Sequence, residues 1–557
     1  MSRKITTRPG YAVPPAPRHS VTVHLPTWEN VEKYGSDSST FIANFHNAYP
    51  RMKPHRDIAD LSVAVLKLIG TDNETCFLFS ALQSATECIE YATSSKRNNG
   101  ADKSAVAVDQ IKLRAFIAKD RFFAVIFPSD KYDVVKGFWS TPGAGVSSRF
   151  AEANLECIDR LAEVPIVEDE KSRSKFEGLP HELLRERIVH YLERAPLDPT
   201  QQPRPTTKDI YFFPSGMASI YKSHSYLLKL YHGTTVLFGM AFMNTLTTFQ
   251  EFGSGHRFFG LGTDDDLYEL ERFLEEERSS GRKVQAIWAE FPANPLLVCP
   301  DIVKLRELAD EYDVVLAIDD TIGSWANIDI THMADILVTS LTKSFNGYAD
   351  LIAGSAVLNP ASPRYAELKP LFDRCHVPEL YIDDADALER NSRDYLSRTS
   401  KLNHNANSLV QYLQACAEDP SNAVRKVHYP TVNPSGKHFK KFMRPATSQF
   451  TPGYGCLFSV ELDDLPTTAA FYDNLNVHNS VHLGAPFTLA FAYTMCTYKN
   501  QLDWAARYGL RPTQIRISAG LEDTDQLLED FRIAVEAANQ VKKAQKGNIT
   551  ESTKVKQ

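Results

Sequence analysis

Between residues 180 and 360 the chain alternates strand-like and helix-like segments, and this rhythm limits the folds open to it more than any other feature. The strand candidates are DIYFFP (209–214), TTVLFG (234–239), VQAIWAEF (284–291), DVVLAID (313–319), ADILVTS (334–340) and IAGSAVL (352–358). Amphipathic segments such as DDDLYELERFLEEERSS and PDIVKLRELADEY lie between several of them. Strands connected through helices form a mainly parallel sheet covered on both faces, so the expected class is α/β. In such a sheet, ligands bind at the carboxyl ends of the strands.

The chain of 557 residues is too long for one small core. An amino-terminal region, residues 1–165, holds helical periodicity in DIADLSVAVLKLIG and LFSALQSATECIEYA and a strand-like run, RFFAVIFP. The charged stretch VPIVEDEKSRSKFEGLP reads as a linker into the α/β domain, 166–360. An α+β domain is expected over 361–545, closing on the amphipathic DTDQLLEDFRIAVEAANQV, with a disordered tail at 546–557. The first 20 residues, basic and Pro-rich, read as a disordered arm.

Net charge is -8, so nothing favours nucleic acid or an anionic membrane, and no apolar run is long enough to span a bilayer. Eight cysteines are scattered without zinc spacing and read as reduced thiols of a cytoplasmic protein. The sequons at Asn73 and Asn548 are then chance matches.

The strand ends carry the chemistry. DIYFFP runs into Ser215, Gly216 and Met217 and then a helix, a turn that leaves backbone N–H groups at a positive dipole end, suited to phosphate. VQAIWAEF runs into Asn294, DVVLAI into Asp319 and Asp320, and ADILVTS into Thr342 and Lys343. Any one of these alone is ordinarily a loop residue or a helix cap. Together, a carboxylate, a lysine and an anion site at neighbouring strand ends suit pyridoxal 5'-phosphate. The lysine would bond the cofactor, the helix start would hold its phosphate, and the Asp would keep the pyridinium protonated. Asn294 is placed to hydrogen-bond the ring hydroxyl.

The segments FFPSGMASI, EFPANPLL, AIDDT, TSLTKSFNGYADLIAGSAVLNP and IRISAGLED, in this order, resemble the Cys/Met-metabolism family of pyridoxal-phosphate enzymes. HSVTVHLPTWENVEKYG, YPRMKPH and GVSSRFAE extend the likeness to fungal-type cystathionine γ-synthases. The resemblance implies the aspartate aminotransferase-like fold (fold type I). It implies Lys343 as covalent anchor and base, with Ser340 and Thr342 beside the phosphate. It implies Asp319 and Asn294 at the ring, Ser215, Gly216 and Met217 at the phosphate, and Arg516 at the substrate α-carboxylate. On local pattern alone, Arg516 fits a surface arginine on an edge strand equally well.

Three positions depart from the family pattern. Phe242 in FGMAFMNT stands where the family stacks a tyrosine, so the hydroxyl is lost. The Tyr-Ser-Arg phosphate clamp, given in the family by a neighbouring subunit, has no plain match, and Arg149 is put forward for it. His482 in VHLGAPFT replaces a serine near the carboxylate pocket. The implied reaction is γ-replacement on an O-acylhomoserine, O-acetyl-L-homoserine first, with a thiol or a carbon nucleophile, in a homodimer or homotetramer. A cystathionine lyase and an inactive relative are the rivals.

Overall fold

The computed structural model describes residues 4–47, 49–95, 104–167 and 176–554. The expected linker falls partly outside these residues, at 168–175.

The α/β layer is as anticipated in its order and largely in its direction. Seven strands form one sheet: β5 (Ile210–Phe213), β6 (Thr234–Phe238), β7 (His256–Phe259), β8 (Val284–Glu290), β9 (Val315–Asp319), β10 (Ile336–Thr339) and β11 (Gly354–Leu358). Their order across the sheet is β5-β11-β10-β9-β8-β6-β7, and only β11 runs antiparallel to its neighbours. β8 to β11 are buried along nearly their whole length, as strands covered on both faces must be. The edge strand β7 is only four residues, His256-Arg257-Phe258-Phe259, with its first two exposed, too short to show an apolar run.

The amino-terminal region has its own four-stranded antiparallel sheet, β1 (Glu74–Phe79), β2 (Lys112–Ile117), β3 (Arg121–Pro128) and β4 (Ala162–Val164), in the order β1-β3-β2-β4. Helices Arg56–Ile69, Leu82–Thr93 and Tyr132–Ser140 accompany it. The region docks on the α/β layer through buried polar groups. Lys222 Nζ donates to Glu87 at 2.8 Å and Ser84 at 3.1 Å, and the Ser84 hydroxyl donates to Glu379 at 2.8 Å.

The described part of the first 20 residues, expected as a disordered arm, is held in place: Gly10 N donates to His24 O (2.9 Å) and Val13 N to the Thr22 hydroxyl (3.0 Å). Ala12, Val13, Val21, Val23 and Leu25 are buried. Val21 N donates to Ala349 O (2.9 Å), Leu25 N to Asn479 O (2.8 Å) and Val23 N to the Ser480 hydroxyl (3.3 Å). Alternating apolar residues from Val21 to Leu25 fit a strand-like ribbon between two other parts of the chain, which no local reading of a Pro-rich segment reveals.

The carboxyl-terminal sheet is β12 (Val424–His428), β13 (Leu457–Leu462), β14 (His478–Asn479), β15 (Leu489–Phe491) and β16 (Gln514–Ser518), ordered β12-β13-β16-β15-β14. Helix Tyr365–Cys375 packs on β11 and on helix Gly216–Tyr231, and helix Ile382–Asn391 packs on helix Leu179–Glu193, so both belong to the α/β layer. Amphipathic periodicity marks a helix without saying which layer it covers. The last helix runs Thr524–Lys554 and takes in most of the expected tail. No helix among the described residues is long and apolar enough to cross a membrane.

Val23 is fully buried among apolar and aromatic residues. A Val23→Asp variant should lose about 3 kcal/mol or more in a urea titration, because the charge has no partner there. Val63→Asp, at a 62% exposed position, should change stability by about 0.5 kcal/mol or less. An unpacked ribbon at Val23 would make the two variants indistinguishable.

Candidate active site

The carboxyl ends of β5, β6, β8, β9 and β10 open into one cavity of ≈ 970 Å³. The lysine after β10, the carboxylates ending β8 and β9, and the helix start after β5 all line it.

Lys343 is half-buried in the cavity wall, and its Nζ donates to the Tyr49 hydroxyl at 3.0 Å. Burial, with Arg51 and Arg516 nearby, lowers its pKa despite the favourable Tyr49 contact. Burial alone would raise Tyr49, but Lys343 and Arg51 outweigh it and lower the phenol. Two proton-transfer groups therefore stand in contact with their affinities drawn together.

Parallel register sets Glu290 of β8 beside Asp319 of β9. Asp319 accepts from Thr321 N at 2.9 Å, and burial raises its pKa. The Glu290 carboxyl accepts from Phe242 N (2.6 Å) and Asn294 N (3.0 Å). Burial first and the Asp319 charge second push Glu290 up to about 8. Asp320, one residue on, points away from the cavity by strand alternation and accepts from the Thr339 hydroxyl at 2.5 Å.

Arg516 lies on β16, a central strand between β13 and β15, not on an edge. Its Nη1 donates to Asn294 Oδ1 (3.1 Å) and its Nη2 to Val481 O (2.6 Å). The Phe491 and Tyr493 rings lie 5.6 and 5.0 Å from the guanidinium. Asn294 thus faces the arginine as well as the strand ends.

The residues fit a phosphate-bearing pyridine cofactor. Ser215 caps the helix beginning at Gly216 by accepting from Ala218 N at 2.9 Å. A Cβ on Gly216 would lie 2.6 Å from Ser340 Cβ, so only glycine allows this close approach. The backbone of the first turn and the Ser340 side chain thus form a narrow cradle. Arg51 Nη1 is buried and has no hydrogen-bond partner among the described residues, as a group awaiting an anion would be. Thr342 lines the cavity while its hydroxyl donates to Ala353 O at 3.1 Å. Phe242 lines the cavity with the Arg51 guanidinium 5.3 Å from its ring.

Two expected site residues lie elsewhere. Arg149 does not line the cavity: it donates to Asp350 O (2.9 Å) and pairs with Asp384 (3.2 Å), tying the amino-terminal region to the α/β layer. His482 is fully buried behind Tyr49, ring centroids 6.1 Å apart, and is not a wall of the cavity. Burial, with Lys343 and Arg516 nearby, holds its pKa well below the ordinary histidine range, so it stands as a neutral ring.

Tyr49, Arg51 and Glu290 join the site without having been expected from the sequence. The Tyr-x-Arg spacing sits in plain view in YPRM, and it arrives in the cavity of its own chain. Glu290 ends its strand level with Asp319, which the β8 register alone could have suggested.

Residues 205–536 match the model of the family described as Cys/Met metabolism PLP-dependent enzyme. Residues 57–147 match the fungal trans-sulfuration enzyme, N-terminal domain. An alanine racemase of Aspergillus violaceofuscus is 34% identical, with 95% of this chain and 97% of that protein covered. The cystathionine gamma-synthase of Neurospora crassa is 30% identical over 95% of this chain and 98% of its own. A crystal structure of cystathionine gamma synthase from Xanthomonas oryzae pv. oryzae aligns with TM-score 0.52 and 19% identity, covering 68% of this chain and 91% of that one. That likeness concerns the fold.

Glu290 gives a pH test. Its folded pKa is raised, so its contribution to stability is fullest below the ordinary carboxylate range and is lost as pH rises through about 8. In cofactor-free protein, wild type should lose stability over that window on the order of 1 kcal/mol per pH unit. Glu290→Gln should flatten the slope. Urea midpoints across the window measure both.

Proposed function

The chain belongs to the Cys/Met-metabolism family of PLP-dependent enzymes, and from that premise we propose that it catalyses γ-replacement on an O-acyl-L-homoserine, O-acetyl-L-homoserine first. The observation that carries this reading is the buried Arg516 fork in the same cavity as Lys343 and the helix start at Gly216. An amino-acid carboxylate on Arg516 would set its α-carbon within reach of the lysine and leave the chain of the substrate free to extend along the cavity.

Bound here, pyridoxal phosphate supplies an electron sink that acidifies the protons of an attached amino acid. Gly216, Met217, Ser340, Thr342 and Arg51 would hold the phosphate. Asp319 would stand at the ring nitrogen, and Phe242 would cover a ring face. Lys343 would bond the cofactor and, once displaced, take the α-proton. Its lowered pKa keeps the free amine available for that task. Tyr49, sharing a hydrogen bond with it, can hold the proton that Lys343 must shed. A homo-oligomer in the cytoplasm completes this reading.

A second reading has a specific observation behind it. The Tyr49–Lys343 pair offers two proton carriers at one site, as α-carbon racemisation requires, and one relative bears the name alanine racemase. The two readings separate in one experiment. Holoenzyme given O-acetyl-L-homoserine and a thiol should release acetate and form a thioether, followed by mass spectrometry. The same enzyme with L-alanine in deuterated water should form little D-alanine; rapid racemisation with no acetate release would replace the first reading by the second.

Lys343→Ala should abolish the visible absorbance of the bound cofactor and lower turnover by more than about 10³-fold. Arg516→Lys should raise KM more than it lowers kcat, by about 10- to 100-fold, since a single ammonium cannot form the paired contacts of the fork.

A further inference from the structure

The resemblance to the Cys/Met-metabolism family implies a phosphate clamp given by a neighbouring subunit, whereas Tyr49 and Arg51 stand in the cavity of their own chain. The Tyr49 hydroxyl accepts from Lys343 Nζ at 3.0 Å. The Arg51 guanidinium lies 5.9 Å from the Tyr49 ring and 5.3 Å from the Phe242 ring. Arg51 also reaches the helix start: one point, the position of a Cβ on Gly143, lies 2.4 Å from Ser215 Oγ and 3.4 Å from Arg51 Cδ. Which chain supplies this pair in an oligomer depends on how the segment around it is held.

That segment is fastened on both sides to the loop that follows Lys343. On the amino side, Val21 N donates to Ala349 O at 2.9 Å. Val21, Phe45, Tyr49 and Ala349 share one apolar cluster. Asn47 N donates to Gly10 O at 2.8 Å, and Lys53 Nζ to Ala43 O and Phe45 O at 3.0 and 2.9 Å, so the chain is tied back on itself on either side of Tyr49 and Arg51. On the carboxyl side, helix Arg56–Ile69 packs on helix Ser148–Leu155. The second helix carries Arg149, whose Nη1 donates to Asp350 O at 2.9 Å and Nη2 to Asp350 Oδ2 at 3.4 Å. The two anchors, Ala349 and Asp350, are consecutive residues of the lysine loop. At the far end of the region, the Phe176 ring stands edge-on to Phe150 of the same helix at 5.9 Å and to Tyr381 at 5.5 Å. The chain thus enters the α/β layer beside the region it leaves.

We propose that each chain clamps its own cofactor: Arg51 binds the phosphate and Tyr49 faces the lysine of the same chain, so that the clamp is not exchanged between subunits. This inference rests on the placing of Arg51 at the phosphate in the function proposed above. It holds for either reaction considered there.

Cofactor binding tests it without turnover. Apo protein titrated with pyridoxal 5'-phosphate, and separately with pyridoxal, gives two Kd values from the visible band. Arg51→Gln should raise the Kd of the phosphorylated form by about 10- to 100-fold and leave that of pyridoxal within about twofold. Equal weakening of both, or of neither, overturns the phosphate role of Arg51, and the inference with it. Ownership of the clamp is read in a hybrid oligomer purified through two different tags, one on a Lys343→Ala chain and one on an Arg51→Gln chain. With the clamp in cis, every remaining lysine has the altered clamp, and the band forms only at the Kd of the Arg51→Gln variant. A band at the wild-type Kd shows a clamp from the neighbour and overturns the inference while leaving Arg51 at the phosphate. A second hybrid, Lys343→Ala with Tyr49→Phe, leaves Arg51 untouched and serves alone if Arg51→Gln fails to fold. Tyr49→Phe by itself should shift the pH at which the band titrates, because it removes the contact with Lys343; no shift overturns the placing of Tyr49, and the inference with it. The hybrid should titrate as the Tyr49→Phe protein does, and a wild-type titration overturns the inference. A chain that elutes as a monomer and shows the Arg51 effect supports it directly.

Discussion

Three basic side chains, the buried Arg516 and the half-buried Arg51 and Lys343, converge on a single cavity, and their mutual repulsion is the constraint on which the site turns. Desolvation and these neighbours lower the Lys343 pKa, and Tyr49 answers by becoming more acidic. Such an arrangement is costly unless anions enter it. A phosphate at the helix start and a carboxylate at the Arg516 fork, as proposed, would offset the repulsion at two points. The third charge, on Lys343, is the one that proton transfer can remove. Binding and reactivity are therefore two answers to one electrostatic demand.

The acidic half of the site follows the opposite logic. Glu290 and Asp319 are register partners on adjacent parallel strands, so the sheet forces two carboxyls together where water is scarce. One must stay protonated for the other to ionise. Glu290, held by two backbone N–H groups, is the one pushed up to about 8. That leaves Asp319 as the charge available to a ring nitrogen, and it does so through backbone geometry alone.

What is legible in the sequence is whatever is local. Apolar runs of strand length, the Gly216 turn and the Asp, Asn and Lys at strand ends are all properties of short segments, and the structure places Asp319, Asn294, Lys343 and Gly216 around one cavity. What escapes depends on distant partners. Val21 to Leu25 show what they pack against only once Ala349 and Asn479 are beside them. Arg149 looks free for a phosphate until Asp350 and Asp384 claim it. β7 escapes for a different reason: it is an edge strand, and its exposed residues need not be apolar. Helix Gly216–Tyr231 shows both kinds of information in one element. Its Gly216 turn is legible, whereas Lys222 in its middle is decided by Glu87 and Ser84 of a region more than a hundred residues earlier.

The ribbon that carries Val23 also sets a schedule for biosynthesis. Val23 and its partner Ser480 are 457 positions apart. At ribosomal elongation rates this separation corresponds to about 20–90 s. During that interval the nascent chain presents an apolar ribbon with nothing to lie against, and Tyr49 and Arg51 have no Arg516 to face. Val21, Val23 and Leu25 are thus made long before the partners they lie against, and a chaperone could cover them during that interval.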